Sequence, residues 1–238
     1  MGTMDIRERL ARLDWKAVER SLWQRGYAKI EPLLMRQECE ALIALYAEED
    51  RFRSRIDMGR HRFGEGEYRY FKYPLPPLVQ ELRQHLYPKL ATIANAWADA
   101  LAEAPSYPMS HASLLTVCGH HKQTKPTPLL LRYEPGGYNC LHQDLYGDVA
   151  FPLQLTVFLS RRGRDFTGGE FLLVEQRPRA QSRGEAIATE QGEMVIFATR
   201  YRPVRGSRGY YRVNMRHGVS TIHSGSRFAL GVIFHDAQ

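Results

Sequence analysis

The second half of this chain is punctuated too often to hold long helices. From residue 112 onward, short apolar segments recur at Ala112 to Cys118, Pro128 to Glu134, Phe151 to Ser160, Glu170 to Glu175, Glu193 to Thr199, Val213 to Ile222 and Arg227 to Phe234, separated by Gly, Pro, Asn and Ser clusters. Segments of this length with turn residues between them favour an antiparallel sandwich or barrel. A parallel α/β sheet would need a helix at each crossover. Along the last segment, Arg227, Ala229 and Gly231 share one strand face while Phe228, Leu230, Val232 and Phe234 share the other. The bulky face asks for a supporting layer, and the small residues beside Arg227 leave room for a ligand.

The first half supplies that layer. Between Asp5 and Arg25, Ile6, Leu10, Leu13, Val18 and Leu22 recur at helical spacing and Gly26 offers a stop. A short strand is expected at Tyr27 to Pro32, and a second amphipathic helix over Glu38 to Glu49. After Pro74, Pro76 and Pro77, a long helical pattern runs from Leu78 to Leu101, with a kink expected near Pro88. The expected class is α+β in a single domain, 1–238. Residues 1–105 would be mainly helical support and residues 106–238 the β core.

Several classes of protein are disfavoured by composition. No apolar run approaches the roughly 20 residues of a membrane span, and MGTMDIRERLARL lacks the apolar centre of a signal peptide. Cys39, Cys118 and Cys140 are odd in number and scattered, so neither a disulfide framework nor a thiolate zinc site is indicated, and a reducing cytoplasm is the expected home. The net charge of +7 suggests an anionic partner.

Chemistry concentrates in LRYEPGGYNCLHQD, residues 131–144. His142 and Asp144 lie two apart, so on an extended strand they project from one face. His217, in RHGVSTIHSGSRFALGVIF, is the candidate third donor. Two imidazoles and a carboxylate occupy one face of an octahedral ion and leave the opposite face open, a set that suits Fe(II). If His223 to Gly225 form a hairpin turn, Thr221 falls opposite Arg227, and Arg227 lies roughly 13 Å along the sheet from His217. That separation suits a small dicarboxylate chelating the metal at one end and meeting a guanidinium fork at the other.

Taken together, these residues resemble the Fe(II)- and 2-oxoglutarate-dependent dioxygenases. The matching features are Tyr133 with Pro135 and Gly136, His142-Gln143-Asp144, Phe166-Thr167-Gly168-Gly169-Glu170, Gly192 before Val195-Ile196-Phe197, His217 with Val219, and Gly225 before Arg227. The resemblance implies a double-stranded β-helix, or jelly-roll, core. It also implies iron ligands at His142, Asp144 and His217, O2 as cosubstrate, and Arg227 as partner of the 2-oxoglutarate C5 carboxylate. Tyr133 would be a second donor to that carboxylate, with Gln154 and Thr156 lining the same pocket. The short His-to-Arg spacing is similar to that of prolyl hydroxylases, whereas Leu131 stands where the alkylation-repair branch usually has Asn. The stretch from LLLRY through TGGEF and EQRPRAQSR looks most like a bacterial family of these dioxygenases proposed to modify nucleic acids.

Two basic segments bear on the substrate. Residues 51–73 interleave Arg51, Arg53, Arg55, Arg60, Arg62 and Arg69 with Phe63, Tyr68 and Tyr70. Residues 177–216 carry nine arginines, Arg212 among them, against three glutamates. Cations beside stacking rings suit DNA or RNA, with Arg60, Arg62, Tyr68, Tyr70 and Arg212 as candidate contacts. The alternative for 51–73 is a solvated loop followed by a strand whose rings enter the core. The leading expectation is a dioxygenase that hydroxylates or oxidatively dealkylates nucleic acid, as in DNA repair. A protein or amino-acid hydroxylase of prolyl type and a non-catalytic anion-binding β-helix module are the alternatives.

Overall fold

The computed structural model describes residues 4–103 and 107–238. The expected change of architecture near residue 105 lies outside the described residues. The helices are α1 Ile6–Ala11, α2 Trp15–Arg25, α3 Arg36–Ala44, α4 Met58–His61, α5 Pro77–Ala100 and α6 His111–His120. The single helix expected over Asp5 to Arg25 is therefore two. Asp14 caps a fresh start by accepting from the Ala17 N–H at 3.0 Å, and Gly26 closes α2 in the left-handed conformation, φ 76°. Pro88 lies inside α5, and the element continues through it to Ala100.

Ala112 to Cys118 is also helical rather than extended. Ser110 caps α6 by accepting from Ser113 N–H at 3.1 Å, and Leu114 and Cys118, four residues apart, are buried on one helix face. Residues 51–73 are not a loop. They fold into β2 Phe52–Asp57, the short α4, β3 Gly64–Glu65 and β4 Glu67–Phe71, following β1 Tyr27–Ile30 in the chain.

The remaining strands are β5 Leu129–Tyr133, β6 Tyr138–His142, β7 Leu153–Phe158, β8 Phe166–Gly168, β9 Phe171–Gln176, β10 Arg183–Ile187, β11 Met194–Ala198, β12 Tyr201–Gly206, β13 Gly209–Val219, β14 Ile222–Gly225 and β15 Arg227–Val232. They form a seven-stranded sheet, β1-β11-β7-β15-β5-β4-β2, and a six-stranded sheet, β10-β9-β13-β6-β3 with β12 on β13. All of the named strand pairs are antiparallel, and β14 pairs with β8 as a small separate sheet. One face of the larger sheet packs on the helices: Leu230, Val232 and Phe234 share a core with Leu22, Leu86 and Trp97. Its other face meets the smaller sheet, where Phe158, Phe171, Leu173 and Phe197 cluster. The supporting helices and the two facing sheets are the α+β arrangement expected.

Of two buried histidines, His111 of α6 ties the helical layer to the sheet, and His235 ties the chain after β15 to the chain before β7. His111 Nε2 is 2.9 Å from the Phe234 carbonyl, and His235 Nδ1 accepts from the Phe151 N–H at 3.1 Å. Burial first, and then the nearby Arg83 cation, push both imidazoles down to about 4. The unfolded chain thus binds protons that the folded chain does not, and stability falls on acidification from pH 6.5 toward 4. Each histidine contributes a loss of about 1.4 kcal/mol per pH unit in mid-window. Thermal unfolding midpoints should fall by several degrees per pH unit there. His111→Gln should flatten that slope, and an unchanged slope would show that His111 is not the group titrating.

Candidate active site

A cavity of about 370 Å³ opens between the two sheets. From the smaller sheet come His142, at the end of β6, and His217 in β13, which face each other as register partners across the two strands. Their ring centroids are 4.1 Å apart. Asp144 follows β6, with Oδ2 3.2 Å from His217 Nε2 and Oδ1 3.6 Å from His142 Nε2. One donor atom from each of the three residues falls within 4.8 Å of the others, so the group could hold a metal ion.

The donors are prepared for that task. His142 Nδ1 lies 2.7 Å from the Cys140 carbonyl, which keeps a proton on Nδ1 and leaves the Nε2 lone pair facing Asp144. The His217 ring is held by packing, with the Phe197 and Phe171 centroids at 4.7 and 6.1 Å. Burial, then the neighbouring His142, lowers the His217 pKa, while the contact with Asp144 pulls it the other way. Burial alone would raise the Asp144 carboxyl. Interaction with His217, then with His142 and the hydroxyl of Tyr146, outweighs it and holds Asp144 well below the usual carboxylate range.

The Asp144 loop is clamped on both sides. Gln143 donates to the carbonyls of Arg200 and Met215, both at 2.8 Å. Downstream, the buried Gln123 side chain donates to the carbonyls of Tyr146, Val149 and Asp236 at 3.0, 2.9 and 2.6 Å and accepts from the Val149 N–H at 2.7 Å. A Cβ at Gly147, where φ is 104°, would press on that side chain. These clamps fix a stretch that has no strand partners of its own.

The larger sheet supplies the opposite wall. Arg227, Ala229 and Gly231 of β15 line the cavity, as their shared face predicts, with Tyr133 of β5 and Gln154 and Thr156 of β7. Arg227 is 2 % exposed, and its guanidinium carbon lies 5.5, 5.4 and 5.9 Å from the ring centroids of Tyr133, Phe158 and Phe166. Gly169 makes space for it, since a Cβ there would come within 2.9 Å of Arg227 Cδ. Among the described residues, Arg227 Nε and Nη2 and Gln154 Nε2 are buried with no hydrogen-bond partner. Tyr133 accepts from Asn139 Nδ2 at 3.2 Å, and burial pushes its hydroxyl up to about 12, so it keeps a proton to donate. Several donors aimed at one buried spot and left unmatched are what a carboxylate would satisfy.

The expected hairpin between His217 and Arg227 does not form. Strand β14 pairs with β8, and β15 leaves for the other sheet between β5 and β7. Thr221 is therefore not opposite Arg227. His217 and Arg227 face one cavity from opposite sheets, so they meet across the sandwich rather than along a strand.

The candidate substrate residues separate. Arg62 and Tyr68 line the cavity. Arg60 is 83 % exposed in its side chain and lies 3.6 Å from Asp57. Tyr70 is buried outside the cavity lining, donating to the Tyr146 hydroxyl at 2.9 Å. Arg212 is held by Glu103 at 2.6 Å. Other arginines in the basic segments are also partnered: Arg177 and Arg202 grip Glu175, and Arg55 and Arg69 grip Glu67. Sequence reasoning missed Tyr146, Gln123 and Asn139, none of which carries a spacing signal.

Known structures share this architecture. A Pseudomonas putida prolyl-4-hydroxylase aligns with a TM-score of 0.52 and 14% identity over 94% of this chain and 99% of its own. A 2OG-Fe(II) oxygenase family oxidoreductase from Burkholderia pseudomallei aligns with a TM-score of 0.51 and 17% identity over 95% and 94%. A Phytophthora capsici prolyl 4-hydroxylase gives 0.57 and 17%, over 100% and 67%. These likenesses define the fold as the double-stranded β-helix of that group. With the His-Asp-His donor set and the oxygenase family described next, the protein is an enzyme of the 2-oxoglutarate- and Fe(II)-dependent oxygenase class.

Its family is narrower. The Oxygenase-NA model, described as an oxygenase catalysing oxidative methylation of damaged DNA, matches residues 66–237, and the chain belongs to that family. An uncharacterized protein of Mycobacterium tuberculosis is 52% identical over 167 residues, covering 70% of this chain and 72% of its own.

Proposed function

We propose that this enzyme oxidises alkylated bases in nucleic acid, most directly in damaged DNA. The observation that carries this reading is the family match over residues 66–237, a span that includes the three metal-site residues and both sheet walls of the cavity. In this reading His142, Asp144 and His217 hold Fe(II). Arg227 receives the C5 carboxylate of 2-oxoglutarate with a second hydrogen bond from Tyr133, while Gln154 and Thr156 line that end of the pocket. When bound, the metal and cosubstrate couple decarboxylation of 2-oxoglutarate by O2 to hydroxylation of a substrate C–H bond. An N-methyl group so hydroxylated leaves as formaldehyde, and the base is restored.

The chain's own residues select and orient the substrate. Tyr68 and Phe63 offer ring faces at the cavity to a base lying in it, and Arg62 places a cation beside them. Arg60 and Arg212 lie outside and would meet phosphate. Three unpaired cysteines suit a reducing cytoplasm, and no helix among the described residues is long and apolar enough to cross a membrane.

The test is succinate formation by the Fe(II)-loaded enzyme with 2-oxoglutarate, O2 and methylated or unmodified oligonucleotides. Methylated strands should stimulate turnover and release formaldehyde one for one with repair. Binding should weaken by roughly 10-fold or more between 50 and 200 mM salt for a few phosphate contacts. No binding at low salt, or stimulation only by peptides that gain one oxygen, would move the substrate to protein.

A further inference from the structure

Asp144 is held from behind by one tyrosine, Tyr146, which a second, Tyr70, holds in turn, and no strand pattern connects either to it. The Tyr146 hydroxyl donates to Asp144 Oδ1 at 2.8 Å, and the Tyr70 hydroxyl donates to Tyr146 at 2.9 Å. The two rings meet edge to face, with centroids 6.2 Å apart. The Arg53 guanidinium carbon sits over the Tyr70 ring, 4.5 Å from its centroid, and Arg53 Nε donates to the Pro126 carbonyl at 2.9 Å. The chain of donors therefore runs one way, from Tyr70 through Tyr146 to the carboxylate. Because the Tyr146 oxygen already accepts from Tyr70, its own proton is directed to Asp144.

A carboxylate turns freely about its Cβ–Cγ bond unless something holds it. Here Oδ1 is capped, and Oδ2 points at His217 Nε2 at 3.2 Å. Tyr146 is itself fixed, since its backbone carbonyl accepts from the buried Gln123 amide at 3.0 Å. We propose that Tyr146 is a positioning residue that holds Asp144 as a one-oxygen ligand, presenting Oδ2 to the metal, and that Tyr70 locks Tyr146 in its donating orientation. This rests on the reading that His142, Asp144 and His217 hold iron.

The experiment compares anaerobic Fe(II) binding, and the visible absorption of the Co(II)-loaded protein, in the wild type, Tyr146→Phe, Tyr70→Phe and Tyr87→Phe. The last is a remote control: its buried ring loses a hydroxyl that donates to the Pro108 carbonyl at 2.8 Å. Tyr146→Phe should weaken Fe(II) binding by roughly 10- to 100-fold, the usual effect of losing a partner behind a metal ligand. Its Co(II) spectrum should shift as the carboxylate changes how it binds. Tyr70→Phe should move both readouts in the same direction by less, and Tyr87→Phe should match the wild type. Wild-type affinity and spectrum in Tyr146→Phe overturn the proposal, and so does an equal loss in Tyr87→Phe, which would mark a general packing effect. If the wild type binds no Fe(II), the iron reading itself fails and this inference falls with it.

Discussion

Arg227→Ala is expected to raise the 2-oxoglutarate concentration needed for half-maximal turnover by roughly 10²- to 10³-fold, the usual range for losing one partner of a buried charge pair. The guanidinium is buried, caged by three rings, and has two unmatched nitrogen donors. The rings offset part of the cost of burying that charge, but they leave the two donors unmatched, and an incoming carboxylate would satisfy both. Arg227→Lys should recover part of the loss, because an ammonium supplies charge without the two-pronged geometry. Fe(II) affinity measured without cosubstrate should be unaltered in both variants. A half-saturation value within about twofold of wild type in Arg227→Ala would remove Arg227 from the cosubstrate site; truncations that break a buried charge contact cost far more.

His217→Gln should reduce turnover by more than about 10²-fold, since removing a metal ligand costs more than removing the partners behind one. Gln approximates the volume of the imidazole that fills the space against Phe197 and Phe171, so the fold should survive. Succinate formation and thermal unfolding measured on the same sample separate the two effects. A stable variant with near wild-type turnover would mean that His217 is not a ligand, whatever its distance from Asp144.

How much of this was legible from the sequence varied with the range of the interaction. The face shared by Arg227, Ala229 and Gly231 followed from a period of two and is the face that lines the cavity. The pairing of His142 with His217 and the crossing of β15 to the other sheet are long-range events, and local turn chemistry at His223 to Gly225 pointed to a hairpin instead. Gly225, with φ 73°, serves a different purpose: its missing Cβ lets the chain pass against the backbone of Asp165. Ala112 to Cys118 misled because a seven-residue, mainly apolar segment broken by Ser113 and Thr116 fits either period, and the Ser110 cap decided it.

Charge was the least transferable signal. Counting arginines in 51–73 and 177–216 suggested two bare basic surfaces, yet Glu67 and Glu175 each take two of those cations into ion pairs. Tyr146 and Gln123 escaped notice for the opposite reason. They act through contacts spanning dozens of residues or through an irregular loop, where no periodicity marks a residue.

The account turns on a His-Asp-His iron site that shares its cavity with a cosubstrate anchored at Arg227. Anaerobic titration of the wild type with Fe(II) and then 2-oxoglutarate tests this most directly. One equivalent of Fe(II) should bind, and 2-oxoglutarate should bring up a visible charge-transfer absorption that is absent from Asp144→Ala. No such absorption in the wild type, or its persistence in Asp144→Ala, would contradict the assignment.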